Sequence, residues 1–202
     1  MHRRLYAEME RVCSERGAGG TVLEIGAVPS EDSLLCMSCL ADAVEKIGIS
    51  LDGPGRYRDF EILNVNANAM DCFPDRRFDT VLCNSTLEHD LFFWKTLAEI
   101  RRVAKPGALV VIGVPGYAEV TAICKRILRL PGHLPVVGSL VRRRLDALLA
   151  STPTLAPHYY PGDYYRFGRQ AVEQVLCAGL RAVEIRMLLM PPRFIGSGIM
   201  PE

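Results

Sequence analysis

The sequence predicts an open, doubly wound α/β sheet, mostly parallel and seven-stranded, with a small helical insertion. Three observations predict it. Short apolar runs alternate with amphipathic stretches from Thr21 to Pro115. The run from Phe78 to Pro115, FDTVLCNSTLEHDLFFWKTLAEIRRVAKPGALVVIGVP, reads as one complete strand–helix–strand unit. The C-terminal stretch then offers one more helix and two strands that meet at Pro191-Pro192.

The elements follow in order. The N-terminal MHRRLYAEMERVCSERG reads as an amphipathic helix with Leu5, Met9 and Val12 on one face. Thr21 to Ile25 is a short buried strand that ends in a glycine turn. Ser30 to Val44 reads as a helix, with Ser30 or Asp32 as its N-cap. Lys46 to Leu51 is the second strand and Phe60 to Val65 the third. Phe78 to Cys83 is the fourth. Leu91 to Val103 is a helix with Asp90 at its N-cap and Arg101, Arg102 and Lys105 near its negative end. Pro106-Gly107 stops it. Ala108 to Val114 is apolar on both faces, as a central parallel strand must be. Arg169 to Ala178 is a helix, and Ala182–Met190 with Arg193–Met200 form a closing hairpin.

Residues 116–157 interrupt the alternation. Val120–Leu130 and Val137–Ala150 read as helices of an inserted cap, rich in arginine. With no repeats and no second core pattern, residues 1–202 read as a single domain.

Composition narrows the class. The chain has 202 residues, 49% hydrophobic and 23% charged, which is globular rather than disordered. A net charge of +1 gives no general attraction for nucleic acid. No apolar run is long enough to span a membrane, and the N-terminus lacks a signal-peptide centre. Seven scattered cysteines argue for a reducing compartment, hence a cytoplasmic location. Cys36 and Cys39 form a C-x-x-C, but no second pair completes a tetrahedral metal site, so the expectation is no metal.

In open α/β sheets, ligands sit beyond the carboxyl ends of the strands. Glu24, Gly26 and Ala27 lie at the end of the first strand, where glycine admits close approach. Asp52 ends the second, placed to accept hydrogen bonds from two ribose hydroxyls. Asn66 and Ala67 follow the third, and Cys83, Asn84 and Ser85 end the fourth.

These residues resemble the motifs of class I S-adenosylmethionine-dependent methyltransferases of the type 11 kind. Glu24 and Gly26 match the acidic residue and first glycine of its first motif. Asp52 matches its ribose acid, and Asn66-Ala67 fall near its adenine-contacting turn. Asn84 to His89, with Leu87-Glu88-His89, match the loop beside the methionine moiety. The likeness is close over residues 20–115 and loose over 158–200. It implies S-adenosylmethionine as cofactor, S-adenosylhomocysteine as product and a Rossmann-like methyltransferase fold. The first motif is atypical: Val28-Pro29-Ser30 stand where further glycines are usual, and proline donates no N–H.

Methyl transfer from a sulfonium is an in-line displacement that needs alignment, exclusion of water and, for a hydroxyl acceptor, a base. His89, His158 and Asp163 are the candidate catalytic groups, and Tyr159, Tyr160, Tyr164 and Arg166 the candidate substrate contacts. The segment from His158 to Phe167 resembles a stretch of bacterial methyltransferases that act in glycan and natural-product biosynthesis. The expected reaction is therefore O-methylation of a sugar or natural-product intermediate. The basic cap suits an anionic small molecule or peripheral contact with a membrane. The alternative is a non-catalytic methyltransferase-like binding protein with a degenerate cofactor loop. For residues 158–167, an internal turn with Asp163 paired to Arg166 stands equally with the functional reading.

Overall fold

The computed structural model describes residues 2–117, 162–189 and 192–202. Residues 2–116 with 162–202, less 190–191, belong to one compact unit. Helix α1 (Arg3–Glu15) precedes strand β1 (Thr21–Ile25). Strands β2 (Glu45–Ser50), β3 (Gly55–Tyr57), β4 (Phe60–Asn64) and β5 (Phe78–Asn84) follow. Helix α2 (Phe93–Val103) leads into β6 (Ala104–Pro115). A short α3 (Arg169–Ala171) runs on as a π turn, Val172–Leu176, before β7 (Arg181–Leu189) and β8 (Pro192–Ile199).

The eight strands form one sheet in the order β3-β4-β2-β1-β5-β6-β8-β7. β4, β2, β1, β5 and β6 run parallel, while β3, β7 and β8 join antiparallel. The sheet thus has one strand more than the expected seven. The extra one is β3, made from residues whose Asp-Gly-Pro-Gly composition reads as a turn. Its pairing is short, Gly55–Tyr57 against Phe60–Ile62.

A parallel sheet must be covered on both faces. On one face α1 buries Leu5, Met9, Val12 and Cys13 against Val22, Leu82 and Val111. On the other, Leu97, Ile100 and Val103 of α2 pack with Phe73, Phe78 and Val110. Arg102 fastens that second face. Its guanidinium donates to the carbonyls of Met70 and Phe73 (both 2.9 Å) and to Glu99 and Asp75 (2.8 Å each). The loop between β4 and β5 is thereby held against α2.

The expected helix over Ser30–Val44 is absent. The chain makes two single 3₁₀ turns instead, Leu34–Cys36 and Ser38–Leu40. Local side chains compete with the helix for backbone donors. Ser30 Oγ accepts from the Asp32 N–H (3.3 Å) and Ser33 Oγ from the Leu35 N–H (3.2 Å). The 3₁₀ turns still direct Leu34, Leu35, Met37 and Leu40 into the core. The cap expected over Val120–Leu130 and Val137–Ala150 lies outside the described residues.

Replacing Arg102 by alanine is expected to lower stability by roughly 2–3 kcal/mol, since charge-assisted bonds to two carbonyls and two carboxylates are lost together. Urea unfolding measures this; Arg102→Lys, which lacks the planar fork, should recover less than half.

Candidate active site

The carboxyl ends of β2, β1 and β5 lie side by side. At the end of β1, Gly26 has φ +81°, the left-handed region that glycine tolerates. A Cβ there would stand 2.1 Å from Thr86 Oγ1. Thr86 Oγ1 donates to the Ile25 carbonyl (3.1 Å), so the glycine admits the chain's own threonine. The Gly26 and Ala27 N–H groups donate to the Ile49 carbonyl (2.9 and 3.1 Å), which knits β1 to β2 at the rim.

Glu24 is 4% exposed and turned inward. Its carboxylate accepts the Ser33 hydroxyl and the Leu34 N–H (3.0 Å) and Leu35 N–H (3.4 Å). It is the cap of the 3₁₀ turn that replaces the expected helix. Burial pushes its carboxyl up to about 7, opposed by those three donors.

Asp52 is exposed just past β2, with no hydrogen bond from its carboxylate among the described residues. Its turn is fixed from beneath. Asn64 Nδ2 donates to the carbonyls of Leu51 (3.3 Å) and Gly53 (2.7 Å), which carries the turn across the end of β4. Asn66 is exposed and closes an Asx turn, its Oδ1 accepting the Asn68 N–H (2.9 Å). Ala67 packs against the core. Asn68 reaches Asp90 (2.7 Å) and Thr96 (2.9 Å), tying this loop to the start of α2. Asp90 accepts the Phe92 N–H (2.9 Å) but is not the N-cap expected from sequence, since α2 begins two residues later than expected, at Phe93, with Phe92 at its N-cap.

Cys83 is buried among core side chains, and burial pushes its thiol up. Ala27 is likewise buried. Asn84 lays its amide over Gly113 of β6 and donates to Ser85 Oγ (3.1 Å). Ser85 sits at φ +54°, a strained value for a side-chain-bearing residue, at the rim itself. His89 closes the 3₁₀ turn Leu87–His89.

Residues 162–167 lie along this turn. The N–H groups of Tyr164 and Tyr165 donate to the Glu88 carbonyl (2.8 and 3.2 Å), and Tyr165 Oη to the Leu91 carbonyl (3.0 Å). Tyr164 keeps its ring exposed. Asp163 is gripped by both terminal nitrogens of Arg166, so these two pair internally. His158, Tyr159 and Tyr160 lie outside the described residues.

Two residues that sequence reasoning left off the site list belong to this rim. Glu88 is 2% exposed, and its Oε1 lies 3.3 Å from Arg193 Nη1. Arg193 Nη1 also donates to Ser85 Oγ (3.0 Å). Arg193 starts β8 opposite Pro115 at the end of β6, which brings it to the carboxyl rim. Only the hairpin's register could have revealed that. Burial holds Glu88 above the usual carboxylate range, against its own backbone N–H, Arg193 and His89. Among the described residues no cluster of His, Cys, Asp and Glu could hold a metal ion.

Residues 39–112 match the family model described as a methyltransferase domain. No curated protein sequence matches the chain. Solved structures do match in fold. The N-methyltransferase NodS from Bradyrhizobium japonicum WM9, bound to S-adenosylhomocysteine, superposes with TM-score 0.63 at 13% identity, covering 99% of this chain and 87% of that one. A 1,6-didemethyltoxoflavin-N1-methyltransferase from Burkholderia thailandensis gives TM-score 0.63 at 14% identity, covering 100% and 80%. A methyltransferase from Aquifex aeolicus gives 0.58 at 17%, covering 99% and 94%. In its fold and over the matched segment the chain is similar to class I S-adenosylmethionine-dependent methyltransferases. The Aquifex aeolicus protein is S-adenosylmethionine-dependent, and NodS holds S-adenosylhomocysteine.

The donor and acceptor set at the rim fits that cofactor. Asp52 is an exposed carboxylate without a hydrogen-bond partner among the described residues, and Asn66 an exposed amide after the neighbouring strand. The polar turn Asn84–His89 lies two strands away, about 10 Å by strand spacing.

Glu24 makes stability depend on pH. Its folded-state carboxyl, at about 7, stands above the unfolded value of 4.5. Its contribution is therefore complete below 4.5 and lost as pH rises through 7, by at most about 3 kcal/mol. Denaturation curves between pH 4 and 8 should show this slope in the wild type and not in Glu24→Gln.

Proposed function

We propose that the chain transfers the methyl group of S-adenosylmethionine to a hydroxyl of a small molecule, a sugar or natural-product intermediate. The observation that carries the reading is Asp52, an exposed carboxylate without a partner among the described residues, held at the end of β2 by Asn64. An exposed acid on a fixed turn is suited to accept two vicinal hydroxyls.

The cofactor supplies an electrophilic methyl group on a sulfonium. The protein's part is to align, exclude water and take up a proton. The cofactor would be held by Asp52 and Asn66 at its nucleoside end and by Ser85 and His89 at the other. Gly26 would act indirectly, by admitting the Thr86 side chain that seats the turn after β5. Tyr164, whose ring is exposed, would face the acceptor, and His158, Tyr159 and Tyr160 remain candidates from sequence. Asp163 would act through Arg166, to which it is paired. The basic residues of 116–157 suit an acceptor carrying an anionic group. Residues 1–202 form a single domain in this reading, with 116–157 as its insertion. Among the described residues no helix is long and apolar enough to cross a membrane.

Calorimetric titration with S-adenosylmethionine and S-adenosylhomocysteine tests the reading. Micromolar binding is expected. Asp52→Ala should weaken it by roughly 1.5–3 kcal/mol, since the ribose bonds are charge-assisted. Absence of binding up to millimolar would replace this reading with a binding protein that has kept the fold.

A further inference from the structure

Glu88 carries a feature that the site so far leaves unexplained. It is one of the few buried acids of the described residues, 2% exposed. Its two carboxylate oxygens differ. Oε1 is met by Arg193 Nη1 at 3.3 Å, and Oε2 is buried with no hydrogen-bond partner among the described residues. A buried carboxylate oxygen without a donor is costly, and native structures rarely keep one without a use.

The surroundings fix it in place. The Glu88 carbonyl is held by the N–H groups of Tyr164 and Tyr165. Arg193, anchored in turn on Ser85, holds Oε1. Thr86, two residues before Glu88, lies directly over Gly26 of β1. The turn therefore stands between the first strand's rim and Arg193, on the side of the rim away from Asp52. Glu88 Oε2 is thus a buried oxygen at the rim without a donor among the described residues.

We infer that Glu88 is the catalytic residue that receives the acceptor's proton, Oε2 accepting the hydrogen bond of an attacking hydroxyl. This rests on the cofactor reading above. A hydroxyl is a poor nucleophile and gains from a positioned base. As the oxygen–carbon bond forms, the carbon–sulfur bond breaks with its electron pair going to sulfur. The hydroxyl proton passes to Glu88 Oε2, which later returns it to water. The sulfonium charge and the carboxylate charge disappear together, so the net charge of the site is unchanged and Arg193 keeps its own. Arg193 is the positioning residue, and it occupies the oxygen that does not react.

Sinefungin tests this without knowledge of the acceptor. It carries a protonated amine where S-adenosylmethionine has its methyl sulfonium, and so places an N–H donor at the transfer locus. S-adenosylhomocysteine has neither charge nor donor there. Calorimetry on the full chain would compare wild type, Glu88→Gln and Glu88→Asp, with circular dichroism to confirm folding. Glu88→Gln should weaken sinefungin by about tenfold or more and S-adenosylhomocysteine by less than about twofold. Glu88→Asp, which keeps the charge, should fall between. Equal weakening of both ligands, or of neither, overturns the proton-acceptor role while leaving the cofactor reading intact. A wild type that binds neither ligand overturns both.

Discussion

The buried carboxylate of Glu24 is the interaction on which the rest of this sheet depends. The chain must travel from the end of β1 back to the start of β2 and cover a sheet face on the way. Such crossovers usually use a helix, whose donors are satisfied internally. Here the donors at Ser33, Leu34 and Leu35 converge on one side chain instead. That capture ends the turn early and sends Leu34, Leu35 and Leu40 into the core. It delivers the chain to Val44 and Glu45, whose N–H groups close on the Gly20 carbonyl. β2 can then pair with β1 in register, Thr21 opposite Glu45.

The same economy shapes the rim. With Glu24 turned inward and the Gly26 and Ala27 donors spent on Ile49, the end of β1 contributes a passage rather than a set of ligands. The polar groups of the rim are divided between its neighbours. On one side Asp52 is fixed by a side-chain amide from β4. On the other, the turn after β5 gathers Ser85, Glu88 and Arg193. Val28-Pro29, which departs from a glycine-rich loop, thus stands where the chain asks little of its backbone donors. Pro29 packs near Gly55, at 3.8 Å from where its Cβ would be, and so helps to seat the edge hairpin.

The parallel strands were legible in the sequence because buried strands are nearly continuous apolar runs, and β1, β2, β4, β5 and β6 fall within a few residues of their expected spans. The N-terminal helix was legible because Leu5, Met9 and Val12 repeat at helical spacing, and all are buried. The Ser30–Val44 segment misled because Leu34, Leu35 and Leu40 also fit a helical face. What decided against a helix was a tertiary partner, Glu24, together with Ser30 and Ser33 acting on their own backbone. β3 was hidden by its turn-like composition. At the site, Asp52 could be read from its place at a strand end. Glu88 and Arg193 could not, since their meeting depends on the antiparallel register of β8 against β6.

Gly26 and Thr86 also set the order in which this sequence can change. The space that a side chain at position 26 would need is filled by the Thr86 hydroxyl, and the backbone there is left-handed. Thr86 can shrink while Gly26 stays, at the cost of one hydrogen bond to Ile25. Gly26 cannot grow while Thr86 stays. Drift through this pair therefore runs in one direction, and a lineage that enlarges residue 26 must first have passed through a smaller residue 86. The contact acts as a ratchet on how the first motif can diverge.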